Sequence, residues 1–378
     1  MTGQSGAVTV SIRSIETVVP ATTLPQPVVR DLFAAQPGLS RLRQRMVATV
    51  FDASAIESRH TVLAELAGDG STGSGFLDPA TGAFAPLTTG RRNAVYREAA
   101  GELFTAAAKQ ALDAAPGLLP ADVSHVVTVS CTGFYAPGPD IEVVRALGLD
   151  AGVQRYHVGF MGCYGAFPAL RAAADFCRAD PDAVVLVVAV ELCTLHLRRP
   201  EDADTLLSCS LFADGGAAAV VTARPAPAGT PLLDLDTFAS ALVVEGEHDM
   251  AWTIGDEGFE MVLSAQVPRL VGAHVRDALT PLLGRGGDGY PGVDSWAVHP
   301  GGRSILDRVE TALELAPEQL GPSREVLRRF GNMSSATVLF VLRTLLQAPP
   351  TGAGRVCALA FGPGLSVESA LLTRRDAA

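Results

Sequence analysis

Lysine is almost missing from this chain: Lys109 is the only one among 378 residues. It lies in the helix-like stretch GELFTAAAKQALDAA and reads as a solvated charge, which argues against Schiff-base chemistry and excludes a P-loop GK[ST] signature. No pair of the six cysteines has CxxC spacing, and His/Cys clusters at zinc-ligand spacing are missing. The expectation is reduced thiols, mostly small buried hydrophobes, and no metal. The longest apolar runs, such as 183–190 (AVVLVVAV), fall short of the roughly 18–20 residues that cross a bilayer. The N-terminus (MTGQSGAVTVSIRS) has no basic region feeding an apolar stretch, so a cytoplasmic protein without a secretory signal is expected. With 29 basic against 40 acidic residues and a net charge of −11, no broad basic footprint is left for nucleic acid.

What is present is apolar: 48% hydrophobic residues against 18% charged, enough for a large core. The length suggests two or three domain-sized units or one two-lobed one. Strand-like and helix-like stretches alternate, pointing to an α/β layered fold. Buried strands are expected at 123–130, 183–191 and 216–223, with a helix over 163–179; 225–231 (PAPAGTP) is the candidate linker. Past it the order recurs: a strand at 294–299, helices at 303–314 and 334–347, and a strand at 355–361. VSCTG at 129–133 aligns with VHPGG at 298–302, offset 169, and VGFMGC at 158–163 with FGNMSS at 330–335, offset 172. An internal duplication follows, and a pseudo-twofold α/β duplication brings equivalent turns to the centre, where open sheets place ligands.

Three residues on those turns carry chemistry. Cys163 follows GFMG and starts an apolar helix, so backbone N–H groups and the helix dipole are expected to lower its pKa below about 8.5. A packed core cysteine is the plain alternative, but glycines at 162 and 165 imply close backbone approach. His299 ends a strand ahead of Pro-Gly-Gly, where side chains project into clefts. Asn332, in GNMSS, is a helix cap on the bland reading, yet it occupies the turn equivalent to that of Cys163. His157 and His196 lie near the same region; His60, His125, His248 and His274 have no such context. A thiolate beside an imidazolium is an activated nucleophile, and imidazole and amide N–H groups make an oxyanion hole. The inference is acyl transfer through a cysteine thioester. Cys-His-Asn also describes papain-like proteases, but their CGSCW-like signature near the N-terminus is missing.

The stretches VSCTGFYAPG (129–138), GFMGCYGAFPALRAA (159–173), SLFADGGAAAVV (210–221), WAVHPGGRSILDRVE (296–310), SREVLRRFGNMSSATVLFVL (323–342) and FGPGLSVES (361–369) resemble type III polyketide synthases, the chalcone synthase superfamily. The first 120 residues match more weakly. The resemblance implies the thiolase fold: duplicated βαβαβ halves, 1–225 carrying the nucleophile and 232–378 carrying His and Asn, in a five-layered α-β-α-β-α core. It implies a homodimer acting on malonyl-CoA and an acyl-CoA starter, with no further cofactor. Cys163 would accept the acyl group, and His299 and Asn332 would hold the malonyl thioester during decarboxylation. Phe212 matches one gatekeeper; the second falls on Met261, a softer side chain. Cavity-wall positions are Cys131, Thr132, Cys193, His196, Trp252 and Ser334. GFMGCY, VELCTLHL and WTIGDEGFEMVLSAQVP look most like bacterial enzymes making alkylresorcinols and alkylpyrones from fatty acyl-CoA. Cys193 also matches naphthalene-forming members that use malonyl-CoA alone. Cys357 fits a core strand rather than thiolase's second catalytic cysteine. For the coenzyme A phosphates the candidates are Arg41, Arg43, Arg45 and Arg59, since guanidinium suits that geometry. A cysteine hydrolase or simple acyltransferase, and an inactive partner subunit, are the competing classes.

Overall fold

The computed structural model describes residues 8–67, 73, 75–284, 290, 292–348 and 354–378; the first seven, part of the N-terminal reading above, lie outside these. The first half contains β1 (Ser11–Val18), β2 (Thr22–Pro25), α1 (Gln26–Ala34), α2 (Arg41–Asp52), β3 (Ser58–Thr61), α3 (Thr89–Asp113), β4 (His125–Ser130), α4 (Pro139–Leu147), β5 (Gln154–Gly159), α5 (Ala166–Ala179), β6 (Val184–Leu192), α6 (Ala203–Leu211) and β7 (Asp214–Thr222). The second contains β8 (Pro231–Leu242), β9 (Met250–Gly255), β10 (Gly258–Leu263), α7 (Val267–Leu283), β11 (Ser295–Val298), α8 (Arg303–Leu313), α9 (Gly321–Phe330), α10 (Thr337–Gln347), β12 (Gly354–Gly362) and β13 (Ser366–Asp376).

Nine strands form one sheet in the order β5-β4-β6-β7-β1-β8-β13-β12-β11. Read from its middle outward, the order is the same twice. β4 and β6 pair in parallel, as do β11 and β12; β6–β7, β7–β1, β12–β13 and β13–β8 are antiparallel. β6 starts at Val184 and β12 at Gly354, 170 positions on, which agrees with the offsets of the motifs. The counterpart of β5 is reduced: near residue 332 there is only an isolated bridge, Phe212 to Asn332. Two residue pairs, Ser11–Asp234 and Ile12–Leu233, join the halves through β1 and β8.

Three apolar clusters set five layers. α5 and α10 fill the centre, against strands of both halves; α3 and α4 cover one outer face, α7 and α8 the other. β6 (VVLVVAVEL) is buried at all nine positions, as a strand covered on both faces must be. α10 buries seven of eleven residues, because a central helix meets packing on most sides. The segment 225–231 is not a free linker. Arg13 donates to the carbonyls of Pro116, Arg224 and Pro225, and Gly229 N–H donates to the Ala377 carbonyl. Among the described residues no helix is long and apolar enough to cross a membrane.

Candidate active site

The nucleophile turn owes its shape to Gly162. Its φ is +73°, and a Cβ there would stand 2.5 Å from Cδ of Pro363, in the FGPG turn that follows β12. The two halves thus press together at this residue. α5 begins only at Ala166; Cys163 lies ahead of it in a 3₁₀ turn, Gly162–Tyr164, rather than on the helix itself.

His299 follows β11, its N–H bonded to the Leu359 carbonyl at 2.8 Å. Asn332 sits in the bridge to Phe212, its own N–H donating to Leu211 O and its carbonyl accepting from Ala213 N–H, both at 2.9 Å. The Asn332 Oδ1 accepts the Ser334 N–H at 2.8 Å and lies 4.0 Å from Cys163 Sγ. Nδ2 spends one hydrogen on Gly301 O at 3.3 Å and keeps the second. The turn-capping and site readings of Asn332 therefore hold together. Both ring nitrogens of His299 are buried without a partner, the state of a group that awaits one.

Burial pushes the Cys163 thiol up to about 11 and the His299 imidazole down to about 3. The resting pair is thiol and neutral imidazole, and the expected lowering by the helix dipole is overridden by desolvation. The side-chain hydrogen-bond partners of the thiol are the Asn332 carboxamide and Ser334; the imidazole lines the same cavity without a hydrogen bond to it.

All three residues line one cavity of about 610 Å³. So do Phe212, Met261, Cys131, Thr132, Cys193, His196, Trp252 and Ser334. His196 is a wall residue held in one tautomer: Nε2 donates to Thr132 O at 2.8 Å and Nδ1 accepts from Phe259 N–H at 3.0 Å. Its ring stacks on Phe259 at 4.3 Å and meets the edge of Trp252, whose Nε1 donates to Cys131 O at 2.8 Å. These contacts clamp the β9–β10 hairpin over the chamber. His157 on β5, by contrast, is bonded to Thr128 on β4 and does not line the cavity.

The phosphate candidates do not reach it. Arg41, Arg43 and Arg45 are exposed on α2, whose Val50 and Ala53 line the cavity instead, and Arg43 donates to Glu201 O. Arg59 is buried at 1% exposure and turned inward to backbone carbonyls. A run of arginines along a helix says nothing about which of them face a hole. The lining contains four others: Arg198, Arg269, Arg303 and Arg308, the last three exposed and so at its open end.

Sequence reasoning also missed Glu191. Fully buried at the end of β6, it accepts from Ser335 Oγ (2.5 Å), Thr132 Oγ1 (2.8 Å), Cys131 N–H (2.9 Å), Ser130 Oγ (3.3 Å) and Cys131 Sγ (3.4 Å). It ties the turn after β4 to the turn after Asn332. The signal was legible: one acid in an otherwise apolar strand.

Residues 2–225 match the family model of the N-terminal domain of chalcone and stilbene synthases, and 234–375 that of the C-terminal domain. The chain is 37% identical over 287 residues to bisdemethoxycurcumin synthase of Oryza sativa subsp. japonica, covering 73% of this chain and 71% of that one. It is 34% identical over 294 residues to the alpha-pyrone synthesis polyketide synthase-like Pks18 of Mycobacterium tuberculosis, covering 76% and 74%. It spans 10% of the length of polyketide synthase 37 of Dictyostelium discoideum, at 34% identity over 293 residues. The C-terminal type III domain of the Dictyostelium type I/III hybrid Steely1 superposes with a TM-score of 0.88 at 27% identity, over 98% of this chain and 100% of that domain. The chain belongs to the chalcone and stilbene synthases, type III polyketide synthases, and is an acyltransferase-type enzyme.

Proposed function

We propose that Cys163 takes an acyl group from a CoA thioester while His299 and Asn332 drive decarboxylative extension, and that the starter is aliphatic and the product a pyrone or resorcinol. The carrying observation is the cavity in which one sulfur, an unpartnered imidazole and a spare amide N–H line the same space. In loading, the Cys163 sulfur attacks the acyl-CoA carbonyl, the C–S bond to CoA breaks, and CoA leaves as the thiol with the proton held by His299. Malonyl-CoA then loses CO₂, and the electron pair of the broken C–C bond becomes an enolate whose oxygen is held by the N–H groups of His299 and Asn332. The enolate carbon attacks the acyl-enzyme, forming the new C–C bond and expelling the Cys163 thiolate. A donor in such a site contributes roughly 3–4 kcal/mol.

Trp252 and His196 favour an aliphatic starter, since these bulky rings occupy wall positions and take up room that an aromatic starter would need. The CoA phosphates fall to Arg269, Arg303 and Arg308 at the open end. Among the described residues no carboxylate pairs with Arg269 or Arg308. A homodimer through β5 goes with this reading: it is an edge strand, with Gln154 to His157 exposed and Tyr156 and Phe134 among the exposed large hydrophobics. Mass spectrometry of products from malonyl-CoA and a ladder of acyl-CoA starters tests the reading. Long aliphatic starters should give extended pyrones or resorcinols; preference for aromatic starters, or naphthalene products from malonyl-CoA alone, would reject it.

A further inference from the structure

Arg59 is a buried cation that the chemistry above leaves unused. It lies on β3, with its Nη1 donating to Phe212 O at 2.6 Å and to Cys209 O at 2.8 Å. Its Nε and Nη2 are buried and have no partner. Among the described residues no carboxylate lies within ion-pair distance of it; Asp214, whose charge reaches it, is held by Thr194 N–H, Thr194 Oγ1 and Val62 N–H. Burial pushes the guanidinium down to about 10, so it stays charged at neutral pH. A buried charge without a counter-ion costs stability, and such costs persist where the site uses them.

The carbonyls it holds are those that end α6, where a cation also meets the negative end of the helix dipole. Leu211 and Ala213, on either side of Phe212, carry the two backbone hydrogen bonds that hold Asn332. The stem of Arg59 presses on the same place from the other side. Gly331 has φ +69°, and a Cβ there would stand 3.0 Å from both Arg59 Cγ and Leu211 O. One side chain thus fixes the bridge that carries Asn332 on one side and Phe212 on the other.

We infer that Arg59 is a positioning residue that sets the Asn332 carboxamide, and with it the Phe212 gate, for decarboxylation. This rests on the role of Asn332 proposed above. Cys163 and His299 hang from other elements, so acyl loading and decarboxylation should separate. Arg59→Met and Arg59→Lys are compared with the unmodified enzyme in two assays: acylation of Cys163 from an acyl-CoA, by intact-protein mass, and CO₂ release from malonyl-CoA. In Arg59→Met loading should stay within about threefold, while decarboxylation falls roughly 10²-fold, the order expected for a group displaced by about 1 Å. Arg59→Lys, which can still donate to both carbonyls, should recover at least tenfold of that loss. Equal losses in both assays, unchanged decarboxylation, or no rescue by lysine would overturn the inference. If Arg59→Met does not fold, Gly331→Ala, which crowds the Arg59 stem, carries the same comparison with the same outcomes. Asn332→Ala separates the two claims: decarboxylation that survives it refutes the role of Asn332 itself, whatever Arg59 does.

Discussion

His299 lines the chamber and Glu191 lies behind Cys131, Thr132 and Ser335, at 1% and 0% exposure, and they are built in opposite ways. Every oxygen of Glu191 is occupied, by five donors from two turns. Neither nitrogen of His299 has a partner. Desolvation acts on both, raising the carboxyl pKa and lowering that of the imidazole, but only in Glu191 do hydrogen bonds oppose it. A satisfied buried polar group holds a fold together; an unsatisfied one is a cost that a ligand removes. The contrast is between a group the fold has satisfied and one left open to whatever enters the cavity.

The largest effect that could break this contrast is expected at His299. His299→Ala should cut CO₂ release from malonyl-CoA by roughly 10²–10³-fold, the loss typical of one oxyanion donor. Its melting temperature should hold or rise, because an unpaired polar group leaves the interior. A melting temperature that falls with the rate would make His299 a structural residue after all. Next in size is the reactivity of Cys163. Burial, only partly opposed by hydrogen bonds to Ser334 and Asn332, holds the thiol up at about 11, so without the imidazole its alkylation by iodoacetamide should be slow at pH 7 and climb about tenfold per pH unit through the alkaline range. If His299 takes the thiol proton, the unmodified enzyme should react at neutral pH well above that line. Superimposable profiles would show that the two groups do not share a proton.

Glu191→Gln should do the reverse of His299→Ala. An amide N–H₂ in place of Oε1 faces the Ser335 hydroxyl and the Cys131 thiol and leaves polar atoms mispaired, at about 1–3 kcal/mol of stability. Turnover per folded molecule should fall less than tenfold, as measured by urea unfolding alongside product formation. A variant as stable as its parent but inactive would move Glu191 from scaffold to chemistry.

How much of this was legible follows the same line. The duplication, the core strands and the three turns that meet at the cavity are legible, because β-branched runs and strand-end glycines are local signals. Phe212 and Met261 were placed by motif, and both line the cavity. Glu191 was passed over as strand composition, although an acid in a run like VVLVVAVEL has to be satisfied by something distant in sequence. Arg59 groups with Arg41, Arg43 and Arg45 by type and nearness, yet the turn between α2 and β3 faces it the opposite way. The start of α5 was read three residues early because a 3₁₀ turn and a helix share their apolar spacing. What could not be read was sidedness, which only packing supplies.

The smallest predicted effect marks where the contrast ceases to apply. Arg308, like His299, has no carboxylate partner among the described residues, but it is exposed at the cavity's open end. Water solvates it, so its lack of a partner costs nothing and does not by itself imply a ligand. Its claim to the CoA phosphates is positional only, and its contribution must be screened by salt. Arg308→Gln should therefore raise KM for malonyl-CoA by about two- to tenfold with kcat unchanged, since the phosphates are held alike before and during the reaction. The difference from the parent should shrink as ionic strength rises towards about 1 M. A fall in kcat, or a KM difference that ignores salt, would mean that Arg308 acts on the reacting carbonyl from inside the dry region. The boundary between solvated and desolvated cations would then lie further out than Arg59.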